Sequence, residues 1–220
     1  MTWNDKYFEK WKQARKHRAY NEYLWTIQLA EEANSRGLKK ALDIGCAVGY
    51  QSVWLAKQGF NVTGLDISEK ALNEAKELAE KENATVTFVN GDAAQMPVPN
   101  NEFEMVLCSG VIQYNTTNRI KQIISEIHRV MKPKGIMIMH FPIHSKEFNI
   151  DFPNPGKEVE PRTYLKNDGY AKGLHYHLFT KDEVDNLLSD FNIIQKITFT
   201  TDKKRKPPVH YWVRIIAEKG

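Results

Sequence analysis

Two cysteines in 220 residues, Cys46 and Cys108, rule out a disulfide-stapled scaffold, and no run of 18 apolar residues offers a membrane span. The first residues, MTWNDKYFEKWK, are charged from Asp5 onward and lack the apolar segment of a secretory leader. Glycine, at 12 residues, and proline, at 9, are too sparse for a collagenous or low-complexity chain, and no internal repeat is present. Neither sign of charge dominates. The 31 Lys and Arg face 27 Asp and Glu, leaving +4, which permits acidic partners but is no dedicated nucleic-acid footprint. What is present, 41% hydrophobic and 26% charged residues, is an ordinary globular composition, and a chain of this length can bury one sizeable core. The expectation is a single cytoplasmic domain with no membrane anchor.

From Lys39 to Phe141 short apolar runs alternate with helical periodicity, the pattern of repeated βα units. The strands are expected at KALDI, FNVTGLD, ATVTFVN, FEMVLCS and GIMIMHF, each apolar enough to be buried on both faces. Leu72, Ala75, Leu78 and Ala79 form one helical stripe behind Ser68 as N-cap; Ile120, Ile123, Ile124, Ile127, Val130 and Met131 form a second. That second helix runs against MKPKG, where Pro133 and Gly135 are stop signals. Thr180 and Glu183 make a capping box for a further helix burying Val184, Leu187, Leu188 and Phe191, and strands around FNIIQKITFTT and VHYWVRIIAE close the chain.

Two segments break the alternation. Residues 1–36 read as helical and aromatic, with Trp3, Tyr7, Phe8, Trp11, Tyr20, Tyr23 and Trp25 close together. Residues 143–178 read as irregular, with Pro153, Pro155, Pro161, Tyr164, Tyr170, His175 and His177, and a loop of that length is usually a lid or a binding loop. One domain is expected over 1–220, made of a helical cap (1–36), a cofactor-binding core (37–142), a lid or substrate loop (143–178) and a closing helix and hairpin (179–220).

The most informative residues are LDIGCAVGY, Leu42 to Tyr50: an apolar strand, an acid, then a small-residue loop opening a helix. Small residues at 45, 47 and 49 let a ligand approach the backbone at the carboxyl end of the strand. A phosphate-binding P-loop needs Lys and Ser or Thr after its last glycine, and here Tyr50 and Gln51 follow Gly49. A dinucleotide fingerprint counted from Gly45 needs glycine at 47 and 50, occupied here by Ala47 and Tyr50, so NAD is disfavoured. Asp66, ending the second strand, would suit ribose hydroxyls in either class.

The loop resembles the acid-x-Gly-x-Gly-x-Gly motif of the class I S-adenosylmethionine-dependent methyltransferases, read here as Asp43, Gly45, Ala47 and Gly49. Ala47 departs from it by one methyl group. The resemblance continues in family order over about residues 39–141 and is closest to the small-molecule group called methyltransferase type 11. It implies that Asp66 in TGLDIS bonds the ribose hydroxyls, that Ile67 packs on the adenine, and that Asp92 in NGDAAQMP accepts from the adenine amino group. Ala93 would turn its backbone N–H to the ring, and Ser109, with Gly110, would lie against the cofactor. FEMVLCSGVIQYN is similar to the family's substrate-facing segment. The implied cofactor is S-adenosylmethionine, leaving as S-adenosylhomocysteine, and the implied fold is a three-layer α/β Rossmann-like domain. Its sheet would have seven mostly parallel strands, the last antiparallel.

Methyl transfer from a sulfonium is an in-line displacement, so positioning does most of the work and no dedicated nucleophile is required. A general base is needed only if the acceptor must lose a proton, and no residue is assigned a catalytic role. Tyr114, His140, His144 and His175 are the candidates for substrate contact. His175 and His177 lack a second ligand pair, so no metal is expected, and the cysteines occupy packing positions. The Asp/Asn-Pro-Pro-aromatic segment of amino-methylating DNA enzymes is absent, the place reading CSGVIQY, and KKRK at 203–206 reads as a solvated loop. A small-molecule acceptor is therefore expected, by a monomer or homodimer. The alternatives are an RNA methyltransferase, a non-catalytic S-adenosylmethionine-binding protein, and an NAD oxidoreductase.

Overall fold

The computed structural model describes residues 23–143, 156–168, 171–200 and 211–220. Trp3, Tyr7, Phe8, Trp11, Tyr20, His144, Pro153, Pro155, Tyr170 and the KKRK run lie outside the described residues.

A helix, α1 (Tyr23–Ser35), precedes β1 (Lys40–Ile44), α2 (Tyr50–Lys57), β2 (Asn61–Asp66), α3 (Glu69–Lys81), β3 (Val86–Asn90) and β4 (Phe103–Ser109). A short 3-10 turn at Ile112–Tyr114 leads into α4 (Thr117–Val130) and β5 (Met131–Ile143). Three short strands follow, β6 (Lys157–Glu160), β7 (Thr163–Leu165) and β8 (His175–His177), then α5 (Lys181–Leu187), β9 (Phe191–Thr200) and β10 (Tyr211–Lys219).

The main sheet has seven strands in the order β3-β2-β1-β4-β5-β10-β9. Strands β1 to β5 are mutually parallel, and β10 runs antiparallel to both β5 and β9, as expected. Alternation along the central strands sends side chains into two cores. Leu42, Ile44, Val106, Met137 and Met139 meet the isoleucines of α4 on one face. Ala41, Met105, Leu107, Ile136 and Ile138 meet Leu29, Ala33 and Leu55 of α1 and α2 on the other. Three layers result.

Local signals hold where they are strongest. Ser68 accepts from Ala71 N at the start of α3, and the Thr180–Glu183 box is made in full. Differences have physical causes. Strand β3 is only partly buried, because it forms the sheet edge and has a neighbour on one side only. Met131 belongs to β5 and not to the helix: it pairs with Phe103, and the chain passes Pro133 by taking Lys134 to φ 65° within an irregular strand start. Residues 157–177, expected as irregular, contain the antiparallel sheet β6-β7-β8. Its strands are short and polar, and β7 and β8 pair across nine intervening residues, so no local periodicity marks them.

This small sheet is docked on the core by side chains. Glu160 accepts from the backbone N–H and the hydroxyl of Thr117, in the first turn of α4, at 2.5 and 2.8 Å, and from the Thr163 hydroxyl at 3.0 Å. Fully buried His177 lies 2.7 Å from Thr163 Oγ1 and 3.0 Å from Glu183 Oε1, and Arg162 also pairs with Glu183.

Candidate functional site

The loops after β1, β2, β3 and β4 open at the same end of the sheet, the carboxyl end of its parallel strands. The loop after β1 is the tightest. Gly45, Ala47 and Gly49 take φ of 69°, 50° and 77°, so alternate residues are left-handed. That conformation costs an L-residue about 1 kcal/mol or more, which explains glycine at two of the three positions. The departure at Ala47 therefore strains the backbone, and its cost is larger than the added methyl alone suggests. A Cβ on Gly45 would sit 2.4 Å from Val111 Cγ2, so the same loop also seats the turn after β4.

Asp66 holds this loop from the neighbouring strand. Its Oδ2 accepts from Ala47 N and its Oδ1 from Ser68 N, both at 2.9 Å, while Gly45 N and Cys46 N donate to Leu65 O. One buried carboxylate thus fixes both the glycine loop and the start of α3. Asp43, on the adjacent strand, is 1% exposed and accepts from Ser52 Oγ at 2.6 Å. Burial pushes its carboxyl up to about 7; the Ser52 hydrogen bond opposes the shift and the charge of Asp66 adds to it. No cation among the described residues offsets that burial. Two carboxylates beside a cradle of bare backbone make a place suited to a positively charged ligand.

The rim differs from the floor. Ile67, next to Asp66, leaves 37% of its surface in water, and Tyr50, at the mouth of the loop, leaves 51%. Asn90 donates from Nδ2 to the carbonyls of Asp66 and Ile67, fixing the exit of β2. Asp92 stands two residues further on and accepts from Ala94 N at 2.9 Å, and Arg119 Nη2 bridges its two oxygens at 2.7 and 2.9 Å. Burial raises the Asp92 pKa, but the Arg119 and Ala94 hydrogen bonds outweigh it and hold the carboxyl below its usual range. Ala93 is half-buried against the main core.

At the exit of β4, Ser109 Oγ lies 3.4 Å from His140 Nδ1, and Gly110 N donates to His140 O. The His140 ring stacks on Trp212 and Phe199 at 4.6 and 5.5 Å, which makes it part of an aromatic layer across β5, β10 and β9. Tyr114 makes an edge contact with Tyr176 at 5.6 Å and packs on Ala171 and Leu174, so it meets the small sheet directly. His175, on that sheet, is partly buried, and burial lowers its pKa. The geometry therefore gathers Asp43, Gly45, Ala47, Gly49, Asp66 and Ile67 around one cradle, with Asp92 on its rim. His140 stands apart, between Ser109 and the aromatic layer.

Sequence reasoning missed three residues. Ser52, which bonds Asp43, faces inward from the first turn of α2. Gln113 is 1% exposed, and its Oε1 has no partner among the described residues, an acceptor buried at the turn after β4. Arg119 is the third, and only its spacing of four from Asn115, to which its Nε donates at 3.2 Å, hinted at a fixed side chain. Among the described residues no group of three or more His, Cys, Asp or Glu could hold a metal. Burial drives the Cys108 thiol up to about 12 and the Cys46 thiol well above its ordinary value, so neither is a nucleophile. No helix among them is long and apolar enough to cross a membrane.

Sheet order, acid-ended strands and left-handed loop together define the class I S-adenosylmethionine-dependent methyltransferase fold. Within it, residues 41–135 match a family model described as a methyltransferase domain. An uncharacterized methyltransferase of Synechocystis is 39% identical over 101 residues, 46% of this chain and 46% of that protein. A ubiquinone biosynthesis O-methyltransferase of Dechloromonas aromatica is 34% identical over 113 residues, 50% of this chain and 47% of that one. The crystal structure of magnesium protoporphyrin IX methyltransferase from Synechocystis, with S-adenosylhomocysteine bound, superposes with a TM-score of 0.72 at 20% identity. The match covers 99% of this chain and 96% of that one. The chain spans about half the length of the curated relatives it matches.

Proposed function

We propose that the protein transfers a methyl group from S-adenosylmethionine to a small-molecule acceptor. The observation that carries this is the pair of buried carboxylates, Asp43 and Asp66, closing on a loop whose alternate residues are left-handed. The bound sulfonium supplies the electrophilic methyl carbon, and what the chain adds is position. Asp66 keeps the Ala47 N–H and the start of α3 in place, and a carboxylate at the end of β2 is chemically suited to accept from a ribose diol. Ile67 offers an exposed apolar surface for the adenine, and Asp92 offers an acceptor for its amino group. Gly45 and Gly49 let the methionyl part approach the backbone. Ser109, at the end of β4, would face the cofactor, and Gln113 and Tyr114, at the turn after β4 where Tyr114 meets the β6-β7-β8 sheet, would contact the acceptor.

The proteins to which the chain is similar support a small acceptor: one is named for ubiquinone biosynthesis and another for magnesium protoporphyrin IX. Melting curves with S-adenosylmethionine, S-adenosylhomocysteine and NAD test the cofactor. A ligand at a hundred times its dissociation constant stabilises the fold by about 2.7 kcal/mol, a visible shift of the midpoint. Stabilisation by the two adenosyl compounds and not by NAD is expected; the opposite result overturns the reading. Transfer of labelled methyl to a metabolite extract, with none to RNA, tests the acceptor class. Tight cofactor binding with no transfer to any acceptor would leave a binding protein.

A further inference from the structure

Arg119 is held at both ends of its guanidinium. Nε donates to Asn115 Oδ1, and Asn115 Nδ2 donates in turn to the carbonyls of Val111 and Ile112 at 3.2 and 3.3 Å. Nη2 bridges both oxygens of Asp92. The result is a clasp between the turn after β4 and the carboxylate after β3. Both partners are about one third exposed, so the net stability gained from the pair is small. Its effect lies in orientation.

A carboxylate offers roughly four lone-pair positions. On Asp92 Oδ1, Ala94 N and Arg119 take two; on Oδ2, Arg119 takes one. Among the described residues one position remains, on Oδ2. Asn90, two residues before Asp92, donates to the backbone carbonyl of Ile67, which ties the exit of β2 and its exposed apolar Ile67 to the strand end that carries Asp92. An apolar surface with one fixed, ionised acceptor beside it matches a flat heterocycle carrying a single amino donor, and it repels one carrying a carbonyl at the same place.

We propose that Arg119 is the positioning residue of the base subsite: by donating to both oxygens of Asp92, beside the Ala94 N–H, it makes the site select a 6-amino purine over a 6-oxo purine. This inference rests on the cofactor reading above and goes beyond it, because it assigns base discrimination to a residue that does not itself touch the base. Lysine cannot reproduce the clasp, since a single ammonium has no planar fork to reach Asn115 and both Asp92 oxygens together.

The test is calorimetric titration of the full chain with S-adenosylhomocysteine and with S-inosylhomocysteine, for the wild type, Arg119→Met and Arg119→Lys, with melting midpoints measured on each. The wild type is expected to prefer the adenosyl compound by about tenfold or more. Arg119→Met should bind it roughly tenfold more weakly and lose most of the preference, with an unchanged melting midpoint, and Arg119→Lys should fall between. An affinity and a preference both unchanged in Arg119→Met overturn the inference while leaving the cofactor reading intact. Tighter binding by that variant also overturns it, since Arg119 would then compete with the base. A wild type that binds neither compound overturns the cofactor reading itself.

Discussion

Replacing Asp43 with asparagine isolates a single buried charge. The substitution keeps the shape and an oxygen for Ser52 Oγ, now 2.6 Å away, but removes the titration. In the wild type burial raises the carboxyl from 3.8 to about 7. Between the ordinary carboxylate range and pH 7 the folded chain therefore holds a proton that the unfolded chain has released, so stability falls as pH rises across that window. The fall amounts to roughly 1.4 kcal/mol per pH unit at its steepest and about 4 kcal/mol in all. Above pH 7 it levels off. Asp43→Asn should lack this fall and be the more stable protein at pH 8, as read from urea unfolding at pH 5, 6, 7 and 8. The same proton reports on the ligand. Below a carboxyl raised to about 7 the protonated form of Asp43 predominates, and a cationic ligand placed beside it favours the carboxylate. Binding of S-adenosylmethionine at about pH 6 should then release part of that proton, measured as a dependence of the calorimetric heat on the ionisation enthalpy of the buffer. Parallel pH profiles for wild type and variant, or a heat that ignores the buffer, would refute this account of the acid pair.

Asp66→Ala leaves the buried N–H groups of Ala47 and Ser68 without an acceptor, so it should destabilise the fold by about 2 to 4 kcal/mol and weaken S-adenosylhomocysteine binding at least tenfold; unchanged affinity in the folded variant would remove Asp66 from the site. Ala47→Gly relieves a residue held at φ 50°, and after the added freedom of the unfolded chain is counted it should raise stability by roughly 0.5 kcal/mol without loss of ligand affinity. A denaturation midpoint that drops would mean that the Ala47 methyl packs productively.

What the sequence disclosed and what it hid divide along sequence separation. The strand-loop-helix around Asp43 to Tyr50 is legible because each of its requirements is local: an apolar strand ended by an acid, small residues where φ is positive, then a helix. The α4 stripe is legible for the same reason, since five isoleucine and valine positions at spacings of three and four define one buried face. That periodicity also explains the clearest omission. Reading α4 for its apolar side draws attention away from the polar first turn, where Arg119 meets Asp92 from 27 residues away and Thr117 meets Glu160 from 43. Neither partner has a periodic signature, and a charged residue at a helix start is ordinarily solvated. The β6-β7-β8 sheet escaped by the same logic, because KEVE, TYL and HYH are too short and too polar to alternate visibly. Its place is set instead by Glu160, Thr163, His177 and Glu183 reaching across the fold. Burial of apolar surface, which a sequence records as period, builds the sheet and positions the glycine cradle. Single polar contacts between distant residues, which leave no period, fix the Asp92 carboxylate to the start of α4 and dock the small sheet beside it.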